Sequence, residues 1–355
     1  MSSFAVSDAA RATTDTDRPI ALWLLFCCGM IFLMVVIGGI TRLTWAGLSI
    51  TEWQPVTGIL PPLSAAGWQA EFDKYQQIPQ YKLLNAGMSL ADFQTIYLWE
   101  YAHRLWGRLI GFVYALPFLW FLIRGRIPRR LIWPLAGIFA LGAAQGALGW
   151  WMVESGLADR IEVSQYRLTA HLTLALVIYA ATLWTALGLL SAPSSAAPRL
   201  LRRGAEIVLC LVGLTIIAGG FVAGLNAGLT YNTFPLMDGS FVPAGYAQLE
   251  PFIRNWFENV AAVQFDHRVL AMTTVASIVV LWVAGRRSAL PSPANRALLA
   301  LLAVALLQLV LGISTLLMVV PVPLAAAHQA GAVLLLTAAT VLRHRLSDGR
   351  NPSLA

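Results

Sequence analysis

Four histidines carry the chemistry this chain offers. His103, His171, His267 and His328 each lie in the first turns of a long apolar segment: EYAHRLWGRLIGF, RLTAHLTLAL, QFDHRVLAMTT and LAAAHQAGAVLLL. Imidazole is costly inside hydrocarbon, so a histidine at membrane depth marks a functional site. Haem iron accepts two axial imidazoles, and the cores of helix bundles house such cofactors. Pairing His103 with His171 and His267 with His328 gives two axial pairs, each able to hold one haem iron between two helices. One such histidine alone would more often be hydrogen-bonded to a neighbouring helix; four in a repeated pattern are not accounted for that way. Zinc is a weaker alternative, because no Cys or carboxylate cluster completes a tetrahedral site. His344, in RHRLSDGR, lies among basic residues at a helix end and takes no ligand role.

Residues beside the histidines extend this reading. Arg104 and Arg268 follow their histidines directly, Arg108 lies one turn beyond Arg104, and Arg167 stands four residues before His171 on the same face. Guanidinium groups at these positions suit haem propionates; pairing with an acidic residue in the bundle, or snorkelling for Arg167, is the plainer role. Glu100 shares a helix face with His103, and its counterpart in the second half is Gln264. A carboxylate at a low-dielectric site can exchange protons with a reacting centre, so the asymmetry implies different tasks for the two halves. A salt bridge to Arg104 is its simpler use. Asp266 abuts His267 as an acceptor or an interfacial residue. Gln145 and Gln308 are intramembrane amides, and Gly38, Gly39, Gly149, Gly219, Gly220 and Gly312 allow close helix approach.

These side chains need a scaffold, and composition says which. Of the 355 residues, 58% are apolar and 12% charged, against roughly 25% charged in a soluble domain. The apolar residues come in runs of about 20, enough to cross a ~30 Å hydrocarbon core. The fold class is an all-α integral membrane protein with eight transmembrane helices as two duplicated four-helix bundles. The spans are 20–41, 98–123, 131–152, 167–190, 204–224, 262–284, 296–319 and 323–343. The net charge of +7 is a topology signal and implies no nucleic-acid partner: 15 of the 24 Lys and Arg fall in the tails and connections on one side, which is therefore cytoplasmic together with both termini. Cys27, Cys28 and Cys210 sit in apolar segments and read as small buried hydrophobes. The N-terminal acidic residues, with the long apolar run that follows, argue against a signal or transit peptide.

The halves look duplicated. Gly38-Gly39 precedes Ala46-Gly47-Leu48 by the same offset as Gly219-Gly220 precedes Ala227-Gly228-Leu229. A helix with His-Arg, one with Gln-x-x-x-Gly and one with Ala-His follow in both. An even number of helices per half makes the repeats parallel, related by an axis along the membrane normal. The expected domains are a cytoplasmic tail (1–19), an N-terminal half (20–190), a linker (191–203), a C-terminal half (204–343) and a second tail (344–355). The long outer loop 43–97 holds Trp45, Trp53, Trp68, Tyr75, Tyr81 and Tyr97 with Pro55, Pro61, Pro62 and Pro79. An interfacial aromatic belt explains most of these; a lid over a pocket explains the length.

The chain resembles the haem A synthase family in its proteobacterial and mitochondrial form. The resemblance rests on GGITRLTWAGLSITEWQPVTGILPP (38–62), EYAHRLWGRLIGF (100–112), TAHLTLAL (169–176), AGLTYNTFPLMDG (227–239), FDHRVLA (265–271) and AAHQAGAVLLL (326–336). It implies a membrane oxidoreductase of the bacterial inner membrane that oxidises a ring methyl of haem O to a formyl group. The route runs through a hydroxymethyl intermediate, haem I, and supplies haem A to cytochrome oxidase. It implies a substrate haem at His103 and His171, with Glu100 as the essential acid and Arg104 helping to position it. It implies haem b at His267 and His328. Haem O synthase and cytochrome oxidase assembly factors are the implied partners, beside membrane lipid; the electron partner and the oligomeric state, a homo-oligomer included, are left open. The chain lacks the loop cysteine pair of some bacterial members, since none falls within 43–97, so a thiol relay there is excluded. Two rivals remain: a two-haem membrane cytochrome that only carries electrons, which would have equivalent halves, and a transporter, which would place its site at the midplane.

Overall fold

Backbone N–H and C=O groups in hydrocarbon must be satisfied within the segment, which restricts long apolar runs to helices. The computed structural model describes residues 17–54, 58–158, 160–190 and 197–347. The expected tail over 1–16 with Arg11, Pro55 of the long loop, the linker over 191–196 and the tail from 348 with Arg350 lie outside the described residues. The helices in chain order are α1 (Asp17–Leu43), α2 (Ala65–Tyr75), α3 (Pro79–Leu83), α4 (Leu90–Ile123), α5 (Arg129–Leu157), α6 (Gln165–Leu190), α7 (Arg199–Gly224), α8 (Asn255–Glu258), α9 (Val260–Arg286), α10 (Ser292–Leu317) and α11 (Val322–Arg345). Among the described residues, eight of these are long and apolar enough to cross a membrane: α1, α4, α5, α6, α7, α9, α10 and α11.

Local sequence sets where they begin. Prolines occupy the cap positions before α5, α7, α10 and α11 (Pro128, Pro198, Pro291 and Pro321), a residue type that ends the preceding extended segment without wasting a donor. Ser89 caps α4 by accepting from Asp92 N, and Asn259 caps α9 by accepting from Ala261 N and Ala262 N. α4 starts eight residues before the predicted span because Phe93 and Tyr97 are buried against the loop that precedes them.

The packing forms two rings. In the first, α1 lies against α4 and α6, and α5 lies against α4 and α6; in the second, α7 lies against α9 and α11, and α10 lies against α9 and α11. Between the rings, α6 meets α7, α1 meets α11, and α6 meets α11. Exchanging α1, α4, α5 and α6 for α7, α9, α10 and α11 maps every one of these contacts onto another. The loop-rich ends of the rings are tied by a polar knot. Arg42 at the end of α1 donates to Glu162 Oε2 (2.7 Å), Ala223 O (2.8 Å) and Asn226 Oδ1 (2.7 Å). Asn226 returns an amide bond to Glu162 Oε1 (2.6 Å).

The long loop is a folded cap. Leu48, Ile50, Phe72, Tyr75, Ile78, Phe93 and Tyr97 form a buried cluster with Trp68 and Tyr81 packed against it. A belt is thus the wrong account of Tyr75 (0% exposed) and Tyr97 (7%): their rings gain more from each other and from Phe93 than from headgroups. Trp53 alone among the loop's tryptophans is largely exposed. The cysteines also divide. Cys27 and Cys28 are buried, whereas Cys210 is exposed on the outside of its helix, a position hydrocarbon tolerates, so hydropathy could not tell the two apart. His344, expected in a basic tail, is 3% exposed and meets the Trp184 ring edge-on at 5.1 Å.

Close backbone contact holds the rings together. A methyl group at Gly224 of α7 would lie 2.6 Å from Gln165 Cβ and 2.8 Å from Gln165 Cα of α6, and a backbone atom cannot swing aside. Gly224→Ala should therefore push α6 from α7 and lower the detergent-state Tm, at a cost of about 1–3 kcal/mol. Gly213→Ala, where nothing lies within 4 Å, is the matched control and should leave Tm unchanged. Equal Tm for both variants would show that the two rings are not held at this contact.

Candidate functional site

Each of the four histidines is laid against a glycine on the neighbouring helix. A methyl group at Gly38 would lie 3.1 Å from His103 Nε2; one at Gly149 would lie 2.9 Å from His171 Cε1. In the second ring, Gly219 holds the same relation to His267 Cε1 (3.1 Å) and Gly312 to His328 Cε1 (2.8 Å). At Gly149 and Gly312 a side chain would force a shift, and at Gly38 and Gly219 it would press on the imidazole. These approaches put α4 and α6, diagonal members of the first ring, in a position to point their imidazoles inward; α9 and α11 do the same in the second. His103 and His171 are close enough to interact electrostatically, as are His267 and His328. Among the described residues no further His, Cys, Asp or Glu joins either pair in a metal-binding cluster.

The hydrogen bonds around the rings suit axial ligands. Gln145 Nε2 donates to His171 O (2.9 Å), and Gln308 Nε2 donates to His328 O (2.9 Å). These amides hold the helix backbone at the histidine; Gln145 Nε2 also lies 3.4 Å from His171 Nε2, whereas among the described residues Gln308 makes no such contact with the His328 ring. His171 Nδ1, His328 Nδ1, Gln145 Oε1 and Gln308 Oε1 are buried without a partner, and buried polar atoms left so call for a ligand or water. Imidazole pairs, glycine cradles and orphaned ring nitrogens together fit a flat macrocycle, whose metal the two imidazoles of a pair would hold. The rings differ at one point. His267 Nδ1 lies 3.1 Å from Thr215 O; facing a carbonyl it carries the proton, which leaves the lone pair on Nε2. No hydrogen bond to the His103 ring is found among the described residues, and its Nε2 faces Gly38.

Glu100 and Gln264 do the same mechanical task with opposite polarity. Glu100, 2% exposed, accepts from Ser49 Oγ (2.8 Å) and Ile50 N (2.9 Å) with one oxygen. Its other oxygen accepts from Arg104 Nε (3.1 Å) and Nη2 (2.6 Å). Gln264 instead donates through Nε2 to Ala227 O (2.7 Å) and Thr230 O (2.6 Å), and its Oε1 accepts from Arg268 Nη2 (3.0 Å). The arginines then reach equivalent backbone atoms. Arg104 donates to Ile50 O (2.8 Å) and Glu52 O (3.0 Å), and Arg268 donates to Tyr231 O (2.6 Å) and Thr233 O (2.8 Å). Each staple fastens the turn after one helix to the histidine helix. Ser49 and Thr230, which the sequence reading passed over, occupy matched positions in the turns and were detectable from that register.

The remaining candidates fall at the rim. Arg108 Nη2 donates to Gln54 O (2.9 Å). Arg167 donates to Trp151 O (2.6 Å) and lies over the Trp151 ring at 4.1 Å. Asp266 accepts from Tyr246 OH (3.0 Å). Arg268 Nε is buried without a partner, a donor held ready beside His267.

Comparison with known proteins agrees in extent with this architecture. The family model for a cytochrome oxidase assembly protein, COX15-CtaA, matches residues 21–340. A heme A synthase of Nitrosospira multiformis is 53% identical over 334 residues, covering 93% of this chain and 94% of the relative. One from Rhodospirillum centenum is 51% identical, covering 100% of this chain and 96% of the relative. A third, from Parvibaculum lavamentivorans, is 49% identical, covering 96% and 98%.

The two staples yield a reciprocal test. Glu100→Gln removes the ion pair and turns an N–H toward donors, and Gln264→Glu turns a carboxylate toward two carbonyls. Each should cost on the order of 3 kcal/mol, as expected when one partner of a buried polar network is lost. Hydrogen exchange should quicken over 46–52 in the first variant and over 227–233 in the second. Unchanged exchange in both would show that the turns are held by something else.

Proposed function

The chain belongs to the COX15-CtaA family of cytochrome oxidase assembly proteins and is a membrane-bound haem A synthase, an oxidoreductase converting haem O to haem A; we propose that its two halves divide that reaction between a substrate site and a retained cofactor. The halves (20–190 and 204–343) are a duplication, a reading supported by the contact pattern that maps one ring of helices onto the other. The substrate haem O is bound in the first half by His103 and His171, and haem b in the second by His267 and His328. The observation that carries this assignment is the Thr215 carbonyl on His267 Nδ1. A ring held in one orientation with its ligand nitrogen bared suits permanent occupancy, while His103, without such an anchor, suits a substrate that must leave.

When bound, haem b supplies one-electron transfer. The chain's own residues do the rest. Gly38 and Gly149 admit the substrate's iron ligands against backbone. Arg104, Arg108 and Arg268 position the haem carboxylates; Arg268 does so with the Nε that has no other partner. Glu100 exchanges protons at the loop side of the substrate site, with the Ser49 hydroxyl at 2.8 Å beside one of its oxygens and Arg104 beside the other. The methyl group passes through the hydroxymethyl stage of haem I before the formyl; the first stage takes up the oxygen of one water, and each stage gives up two protons and passes two electrons to an external acceptor. The arginine-rich end, including Arg124, Arg126, Arg129 and Arg130, faces the cytoplasm of a bacterial inner membrane, with both termini on that side. Haem O synthase upstream and cytochrome oxidase assembly downstream are the functional partners.

Expression in a host that makes haem O but lacks its own synthase, followed by extraction and chromatography of haems, tests the division. Wild type should yield haem A. His103→Ala, His171→Ala and Glu100→Ala should lower haem A at least tenfold while keeping haem b near one per chain. His267→Ala and His328→Ala should lose both. Two haem b per chain, no haem A, and indifference to Glu100→Ala would leave an electron carrier in place of the synthase.

A further inference from the structure

The two rings serve as internal controls for each other, and they differ most between α4 and α5. In the second ring, α10 buries Leu298 (1% exposed), Leu301 (0%) and Ala305 (0%) in successive turns. The equivalent residues of α5 are Leu135 (0%), Ile138 (6%) and then Gly142. Gly142 is exposed, and a methyl group built on it would meet nothing within 4 Å. The same open space surrounds Gly146 on α5 and Gly111 on α4. Their counterparts in the second ring are Leu309 and Val275. On the loop-rich side of Tyr114, then, α4 and α5 are lined by glycine where α9 and α10 carry side chains.

The cleft has a floor and a mouth. Tyr114 closes it toward the arginine-rich end, donating to Leu135 O (2.9 Å) and stacking on Phe139 at 6.1 Å and 12°. At the other end it opens into the histidine chamber. Gly149 lies seven residues after Gly142 on the same face of α5 and carries His171 against it, with His171 Nδ1 buried and without a partner. Gln145, on the turn between Gly142 and Gly149, contributes a second buried atom without a partner, Oε1. These two polar atoms place a ligand at the cleft's mouth. What the cleft itself offers is glycine backbone, exposed at Gly111, Gly142 and Gly146.

We propose that the cleft between α4 and α5 takes the long isoprenoid side chain of the substrate haem, and is the feature by which the first half selects haem O over haem b. This rests on the substrate site proposed above at His103 and His171. Haem O and haem b share a macrocycle, an iron and two propionates, so axial histidines and arginines cannot tell them apart. The side chain can. Buried in the cleft it contributes apolar contact that haem b lacks, and the second ring carries Val275, Leu309 and a buried Ala305 at the positions of the three open glycines. The opening to lipid also lets a substrate with a long apolar tail enter sideways, without drawing that tail through water.

The test gives the first ring the second ring's residues. The variant Gly111→Val, Gly142→Ala, Gly146→Leu carries side chains the fold already accepts at equivalent positions. Purified holoprotein, with haem b in the second half, is titrated with haem O and separately with haem b, following the Soret difference spectrum of the first-half site. Wild type should bind haem O at least tenfold more tightly than haem b. In the triple variant that preference should vanish, with haem b affinity within about twofold of wild type. A preference that survives the three substitutions overturns the cleft assignment and leaves the substrate site standing. So does a loss of affinity for both haems in equal measure, which would mean that the macrocycle pocket was disturbed. Failure of the wild type to bind either haem removes the substrate site itself, and the cleft with it.

Discussion

An imidazole can face a shared ligand from the middle of a helix bundle only if its flank is given over to backbone. That requirement recurs four times here, at Gly38, Gly149, Gly219 and Gly312, and much else depends on it. Glycine at the contact lets adjacent helices close to where one ring plane is sandwiched, and the amides of Gln145 and Gln308 then fix the helix that carries the second histidine. An unpaired imidazole nitrogen in hydrocarbon is costly, and of the second ring's two histidines only His267 sets its Nδ1 against a backbone carbonyl. The Nδ1 atoms of His171 and His328 stay buried without a partner, a cost that both rings carry at the matching place.

The loop-side staples translate that arrangement into a closed chamber. Arg104 and Arg268 each donate to two backbone carbonyls of the turn opposite, and Glu100 and Gln264 meet the same turn with matching polarity. A guanidinium so committed acts mainly by geometry, and its remaining capacity is directional. The carboxylate in the first half is the costlier device. It needs four donors to be comfortable where an amide needs fewer, and this cost falls on the half to which proton exchange is assigned.

Much of this was legible in the sequence, for physical reasons. The eight spans follow from the length of apolar runs, and the histidine layer from their common position near the loop-rich helix starts. The glycine pairs and the glutamine positions stood at repeated offsets. What escaped notice required knowledge of distant neighbours. Glu100 was visibly different from Gln264, but its bonds to Ser49 and Ile50 connect residues some fifty positions apart. The aromatic loop read as a headgroup belt because composition cannot distinguish rings that face lipid from rings that face one another, as Tyr75 and Phe93 do at 5.2 Å. Cys210 and His344 fail in opposite directions. An apolar run hides which face of a helix is turned outward, and a basic run hides a histidine turned in against Trp184.

The contacts between the rings carry a consequence of their own. α6 with α7 and α1 with α11 are the same contact made twice, and α6 with α11 is a contact of like with like across the axis. That is the pattern of an isologous interface, in which one surface patch meets its own copy. Two separate four-helix chains would assemble by it without any linker. Joining them end to end frees each patch from serving both partners. Once fused, a glycine can open a cleft in one half while an alanine closes it in the other, and a carboxylate can be kept where its twin became an amide. A symmetric dimer would have had to accept both changes in both subunits.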